Sequence, residues 1–103
     1  MTQRRELPPR RRHSVFDLEH DGIAYIVGVG FFPDDTPAEI FISTAKSGSH
    51  AETAARDGAI LCSIALQYGA PLAVLRHAMT RSAAGVASGP LGAALDLIAE
   101  VRA

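Results

Sequence analysis

Residues 14–29 of the 103-residue chain decide the fold, and they read SVFDLEHDGIAYIVGV. Phe16 and Leu18 alternate with polar residues, which is typical of a strand that is buried on one face only. Asp21-Gly22 follows, and this dipeptide favours a two-residue hairpin turn because both central residues of that turn need a positive φ angle. The β-branched run of residues 23–29 supplies the returning strand. These residues therefore predict an antiparallel β-hairpin.

The rest of the chain predicts one more strand and three helices. Residues 38–42 have the pattern of a third strand, and the short connections between the strands favour a meander. Ser49 and Glu52 have capping-box spacing and predict a long buried helix over 49–68, with one polar stripe. Proline at 71 and at 90 begins each of two further helices. The predicted fold is α+β, a three-stranded antiparallel meander followed by one long buried helix and two shorter helices. The predicted polar stripe consists of Glu52, Arg56, Ser63 and Gln67.

Charge divides the chain into a basic flexible arm, residues 1–12, and a single domain, residues 13–103. Residues 1–13 hold five arginines and one glutamate, a balance of +4, so a chain of net charge −1 leaves −5 for the remainder. Such an arm could contact phosphate, an acidic partner or a neighbouring subunit, or could be a solvated terminus. Its cations are Arg4, Arg5, Arg10, Arg11 and Arg12.

Reactive side chains are few in this sequence. The single cysteine, Cys62, falls in an apolar run, which favours a buried and inert thiol. The four histidines are dispersed, and none has the spacing of a helical metal site. We therefore predict no catalytic residues, no metal and no cofactor, and no enzymatic activity for the chain on its own. No apolar run reaches the ~20 residues of a membrane span, and no secretory signal is visible, so we predict a cytoplasmic location and no membrane contact.

One loop has the character of a weak anion site. Lys46-Ser47-Gly48-Ser49 links a predicted strand to the N-terminus of the long helix, where free amides and the helix dipole favour negative charge. Lys46 adds a positive charge, and Gly48 permits close approach. The alternative is a tight connection in which Ser49 only caps the helix.

Three further stretches carry a resemblance to a known family. They are PAEIFI at 37–42, KSGS at 46–49 and SIALQYGAPL at 63–72. In their order and spacing they resemble the TSCPD domain, which occurs near the C-terminus of adenosylcobalamin-dependent ribonucleotide reductases and in short proteins. The likeness runs from about residue 13 to residue 98. It implies an α+β domain related to deoxyribonucleotide synthesis. The reductase's radical-generating barrel is far larger than 103 residues, so we expect no such barrel here.

The sequence departs from the motif that gives this family its name. Where the family has Thr-Ser-Cys-Pro-Asp, this chain has ASGPL at 87–91, so Ser88 and Pro90 match while Gly89 replaces the cysteine. Any thiol or metal chemistry of that cysteine is therefore not expected. The resemblance implies a non-catalytic accessory or regulatory domain that acts through protein contacts, with a ribonucleotide reductase catalytic chain as the expected partner.

Two other functions remain open at this stage, together with self-association. The first is a nucleic-acid-binding module that uses the arginine arm, although an acidic body makes nucleic acid an unlikely partner. The second is a nucleotide or anion site in the Lys46–Ser49 loop. A free sheet edge, with Phe31 and Phe32 expected to be exposed beside it, predicts a homodimer.

Overall fold

The computed structural model describes residues 3–44 and 49–102, and it confirms the α+β fold. Three strands form one antiparallel sheet in the order β1-β2-β3, and three helices follow in the chain. The strands are β1 (His13–His20), β2 (Ile23–Phe31) and β3 (Pro37–Thr44). The helices are α1 (His50–Gln67), α2 (Leu72–Ala78) and α3 (Pro90–Arg102).

The predicted hairpin is present with the expected turn chemistry. Asp21 and Gly22 have φ angles of 51° and 76°, so both central residues are left-handed. Pairing of His20 with Ile23 closes the turn, and the register continues without a shift to His13 opposite Gly30. The turn therefore fixes which side chains of β1 and β2 share a face of the sheet.

One face of the sheet and the three helices enclose the core. Side chains of all three strands point into it, and α1 and α3 contribute small and aliphatic side chains from the other side. Burial of this apolar surface is the main force that stabilises a domain of this size. Five core side chains are both large and fully buried: Val27, Val29, Ile40, Leu95 and Ile98.

The ends of α1 lie where the sequence predicts them. Ser49 is the N-cap, and its side-chain oxygen accepts a hydrogen bond of 3.1 Å from the Glu52 amide. Glu52 also pairs with Arg56 one turn later, at 3.5 Å. Gly69 follows the C-cap with a φ angle of +100°, which glycine accepts at low cost. Local capping signals thus set both ends of this helix.

Candidate partner-binding surface

The N-terminal arm lies against the C-terminal end of α1. The amide of Arg5 donates a 2.7 Å hydrogen bond to the carbonyl of Gln67. Arg4 Nε donates to the side-chain oxygen of the same Gln67 at 2.6 Å. One residue of the helix therefore holds two neighbouring residues of the arm.

Two phenylalanines lie beneath the arginines of this arm. The guanidinium of Arg5 is 3.8 Å from the ring centre of Phe32, and that of Arg12 is 4.2 Å from the ring centre of Phe31. Both rings are only 4% exposed. The prediction that Phe31 and Phe32 are exposed is therefore wrong, because side chains distant in the sequence cover them. Cation–π contacts of this kind contribute about 0.5–2 kcal/mol each.

Carboxylates at the β2–β3 turn pair with the same arginines. Arg5 reaches Asp34 at 3.2 Å, and Arg12 reaches Asp35 at 3.1 Å, both near the surface. Hydrogen bonds from Thr36, and then the Arg5 guanidinium, lower the pKa of Asp34. Exposed pairs contribute little each. Their main consequence is that two arm cations already have anionic neighbours.

Arg11 occupies a more enclosed position on the outer face of the sheet. It contacts both carboxylate oxygens of Glu39, and its Nη1 donates to the carbonyl of Pro8 at 2.8 Å. The Glu39 side chain is almost fully buried, and it raises the pKa of Arg11 by accepting this hydrogen bond. Gly30 lies directly below, where any added Cβ would collide with the Glu39 carboxylate. His13 Nε2 completes the cluster, 3.3 Å from the same carboxylate.

The arm also borders a cavity of about 550 Å³. Its lining mixes apolar and charged groups from the arm, the β2–β3 turn and the ends of α1 and α3, including Arg5, Phe32, Asp34, Gln67 and Arg102. Arg10, which precedes Arg11 in the sequence, is exposed. Because Arg5, Arg11 and Arg12 pair with carboxylates, the geometry gives the nucleic-acid function no specific support, and that function stays a prediction.

The candidate anion loop lies mostly outside the described residues. Lys46, Ser47 and Gly48 lie outside those residues, so Ser49 is the one residue of the loop that the structure describes. Ser49 Oγ is engaged with the Glu52 amide, in the capping role that the sequence indicated as the alternative. Anion binding by this loop stays a prediction.

The remnant of the family motif begins α3. The Ser88 amide donates to the carbonyl of Thr80 at 2.9 Å, and the Ser88 carbonyl lies 3.3 Å from His20 Nε2 at the end of β1. The Gly89 carbonyl accepts the first hydrogen bond of the helix, from Ala93, and Pro90 is the first helical residue. These three residues therefore anchor the connection between α2 and α3.

A charge cluster that sequence reasoning missed holds the same connection. Asp96 on α3 accepts two hydrogen bonds from Arg81, at 2.7 and 2.8 Å, and one of 2.7 Å from Arg76. Arg81, and then Arg76, lower the pKa of Asp96 to about 2. Arg81 Nη1 and Nη2 also donate to the carbonyls of Gly85 and Arg76. The one sequence signal was a single carboxylate in an otherwise apolar stretch of helix.

The remaining reactive group offers little for covalent chemistry. Cys62 faces the core, and burial raises the pKa of its thiol to about 11, so the thiol is protonated at neutral pH. Within residues 3–44 and 49–102, no three His, Cys, Asp or Glu side chains converge as a metal site would require.

Polar side chains of α1 face the outer edge of β3. Ser63 Oγ accepts from the Ile40 amide at 2.8 Å. Its hydroxyl hydrogen has two acceptors within reach, the Ala59 carbonyl at 2.9 Å and the Ile40 carbonyl at 3.1 Å. Gln67 Nε2 donates to the Ala38 carbonyl at 3.1 Å. The Glu52 carboxylate accepts from the amide and hydroxyl of Thr44. Three members of the predicted polar stripe, Glu52, Ser63 and Gln67, thus lie against the sheet edge, while the fourth, Arg56, is exposed. Leu61, which is 70% exposed, faces outward.

The sheet face opposite the helices carries an apolar patch. Val15, Ile26 and Phe41 share this face by register and are 68%, 50% and 51% exposed. Gly28 lies between Val15 and Phe41 by register, beside the Phe41 ring. We name Val15, Ile26 and Phe41 the open-face patch. Clustered exposed apolar side chains of this kind mark interaction surfaces.

In the described part of the chain, no helix has both the length and the apolarity that crossing a bilayer requires. Fold and surface together define a small α+β protein with a closed core, an arm packed on its body and an exposed apolar sheet face.

Comparison with known proteins gives one informative match. The chain is 36% identical over 73 residues to a vitamin B12-dependent ribonucleotide reductase of Rhodopirellula baltica. The matched segment covers 71% of this chain and 7% of that reductase. No protein-family model matches the chain, and no solved structure matches it. The similarity therefore relates this chain to a small part of a much larger enzyme.

Proposed function

We propose that this chain is a TSCPD-type accessory domain that works in ribonucleotide reduction by contacting a reductase catalytic chain. The observation that carries the proposal is the 36% identity over 73 residues to a vitamin B12-dependent ribonucleotide reductase. The three stretches that resemble the TSCPD family, at 37–42, 46–49 and 63–72, point in the same direction. Since the match covers 7% of the reductase, the activity of that enzyme is not carried over to this chain.

The distribution of polar groups favours a role by contact over a role in catalysis. Asp96 is engaged by two arginines, Glu39 by Arg11 and His13, and the Cys62 thiol is buried and protonated. Such partners stabilise a fold, and they occupy the groups that acid–base or nucleophilic catalysis would need. The motif residues Gly89 and Pro90 likewise have a structural role, since they begin helix α3.

The open-face patch is the surface that best suits the reductase chain. Its three side chains are exposed on a rigid sheet, so a partner gains apolar burial without an entropic cost of ordering a loop. Outward-facing Asp17 and Glu19 on β1 provide a polar rim at one end, and His13 provides one at the other. An apolar centre with a polar rim is the usual anatomy of a protein interface.

Calorimetry with the purified chain and the vitamin B12-dependent reductase catalytic chain of the same organism tests this proposal. We expect saturable binding and a changed rate of ribonucleotide reduction by the catalytic chain. Ile26→Lys should weaken binding at least about tenfold, which corresponds to ~1.4 kcal/mol. Val86→Lys is the matched control, since Val86 is an exposed valine on the α2–α3 connection.

Two results would contradict the proposal. The first is an absence of binding by a folded wild-type chain at concentrations up to about 100 μM, where weak transient complexes still form. The second is turnover of a ribonucleotide by this chain without the catalytic chain. Equal weakening by both lysine variants would move the contact away from the open-face patch.

A further inference from the structure

The two edges of the sheet differ in how their backbone groups are satisfied. At the β3 edge, side chains of α1 form hydrogen bonds with the outward backbone groups of Ala38, Ile40 and Thr44. At the β1 edge, no hydrogen bond to an outward backbone group is found among the described residues 3–44 and 49–102. An edge strand of eight residues in that state is a template for pairing with another strand.

The hydrogen-bond parity of β1 identifies which groups point outward. The Phe31 amide donates to the Arg12 carbonyl, and residue 13 pairs with residue 30 in continuous antiparallel register. In such a ladder, alternate residues exchange hydrogen bonds with the neighbouring strand. Even-numbered residues of β1 therefore bond to β2. The N–H and C=O groups of the odd-numbered residues point away from the sheet, and these residues are His13, Val15, Asp17 and Glu19.

The charge order along β1 indicates what pairs there. The strand begins with His13, directly after three arginines, and continues to Asp17 and Glu19, and Asp21 follows in the turn. A second copy in antiparallel orientation brings the basic beginning of one strand opposite the acidic end of the other. A parallel copy would place like charge against like charge, which is destabilising between neighbouring strands. The edge is therefore self-complementary in one orientation only.

We propose that β1 pairs antiparallel with β1 of a second copy about a twofold axis at Val15, which joins two three-stranded sheets into one of six. In this register Val15 faces Val15 of the second copy, and His13 faces Asp17. Both pairs belong to the outward parity class, so each exchanges two N–H···O=C bonds across the axis. A twofold at Asp17 would set two carboxylates against each other, and a twofold at Phe16 would set Val15 against Asp17. Of these three registers, the one centred at Val15 pairs apolar with apolar and His13 with a carboxylate. This inference does not depend on the proposed reductase partner.

Sedimentation of the full chain over about 10 μM to about 1 mM tests the proposal, because a narrow edge interface is expected to be weak. The mass should rise from 10.9 kDa toward twice that value. Val15→Pro removes the central outward N–H while leaving the β1–β2 ladder intact, and proline is tolerated at such an edge position. It should raise the concentration needed for association at least about tenfold. Asp17→Lys should have the same direction of effect, and it serves if the proline variant fails to fold.

Ile26→Lys is the control, since Ile26 lies on the central strand, which the proposed pairing of β1 with β1 does not contact. Association should be unaffected by it. Three results would overturn the proposal: a monomer throughout the concentration range, association that both Val15→Pro and Asp17→Lys leave unchanged, or association that is abolished only by Ile26→Lys. Reductase binding that is lost with Ile26→Lys while self-association persists would show that the two contacts have different requirements, although Val15 belongs to both surfaces.

Discussion

The two edges of this three-stranded sheet differ in whether the outward backbone groups of the edge strand have hydrogen-bond partners. At the β3 edge, Ser63 and Gln67 of α1 act as substitute strand partners for Ile40 and Ala38. At the β1 edge, the outward groups of alternate residues meet no described partner. The difference teaches that a helix can close an edge chemically, with hydroxyl and amide side chains, as well as by covering it.

Closing the β3 edge has a consequence for the orientation of α1. An amphipathic helix normally directs its apolar stripe inward and its polar stripe to solvent. Here a polar stripe and the small side chains Ala55 and Ala59 lie against the sheet, and Leu61 lies outside. The side chains buried against the edge are polar because an unpaired backbone group there would cost about 1–3 kcal/mol.

The largest effect on this comparison is expected from two adjacent proline substitutions. Ser14→Pro should reduce the free energy of unfolding by about 3 kcal/mol, because the Ser14 amide bonds to β2 and its loss leaves a buried carbonyl unpaired. Val15→Pro should cost less than about 1 kcal/mol, since the Val15 amide points outward. Urea denaturation at low protein concentration measures both. Equal losses of unfolding free energy in the two variants would contradict the assignment of even-numbered β1 amides to β2 and odd-numbered amides to the open edge.

The next effect concerns the closed edge. Ser63→Ala removes the hydroxyl oxygen that accepts from the Ile40 amide, so this amide loses its partner. We expect a loss of about 2 kcal/mol in the free energy of unfolding. Ser82→Ala is the control, because Ser82 Oγ accepts only a 3.3 Å bond in an exposed turn. If the two alanine variants unfold at the same urea concentration, Ser63 does not satisfy the edge.

Gln67→Met should produce a somewhat smaller loss with a second, local consequence. Methionine keeps the volume but loses the hydrogen bonds to Ala38 and Arg4, and we expect about 1–2 kcal/mol. The arm should also be cleaved faster by trypsin at Arg4 and Arg5, since one of its contacts to α1 is gone. Cleavage at the wild-type rate would show that the backbone bond from Arg5 alone holds the arm.

The smallest expected change in the free energy of unfolding concerns Asp96, near the β1 end of the domain, and it depends on pH. Asp96 holds the connection that reaches His20 at the end of β1, and its pKa falls from the ordinary 3.8 to about 2. A lowered pKa in the folded state stabilises the fold above pH ~4, and the contribution disappears as the pH falls toward ~2. Asp96→Asn should cost about 1 kcal/mol at neutral pH, after allowance for solvent screening.

The wild type and Asp96→Asn should therefore converge in stability as the pH approaches ~2. Denaturation from pH ~6 to ~2 measures this, with Asp17→Asn as the exposed-carboxylate control. A constant difference across the range would mean that charge pairing is not what Asp96 contributes. Ser63→Ala should show such a constant difference, because the hydrogen bond between Ser63 and Ile40 joins two neutral groups.

Local chemistry explains the parts of the fold that the sequence predicted well. Asp21-Gly22 determines the hairpin, Ser49 with Glu52 begins α1, and Gly69 ends it, since each of these signals acts within a few residues. The polar stripe on α1 was also visible as a pattern. Its direction was not, because periodicity defines a face of a helix without stating what packs against that face.

Contacts between distant residues account for what the sequence did not reveal. Phe31 and Phe32 have the hydrophobicity of an interface, yet Arg5 and Arg12 cover them from more than fifteen residues away. The cluster of Asp96 with Arg76 and Arg81 likewise joins two helices and a loop. Neither arrangement has a local signature, since single arginines in a sequence do not indicate which ring or carboxylate they meet.

Amide hydrogen exchange of the dilute chain, measured residue by residue, tests the unequal edges most directly. We expect slow exchange at Ile40 on β3 and at Ser14, Phe16 and Leu18 on β1, and fast exchange at Val15, Asp17 and Glu19. Slow exchange at every β1 amide in a monomer, or fast exchange at Ile40, would contradict the view that α1 closes one edge and leaves the other open.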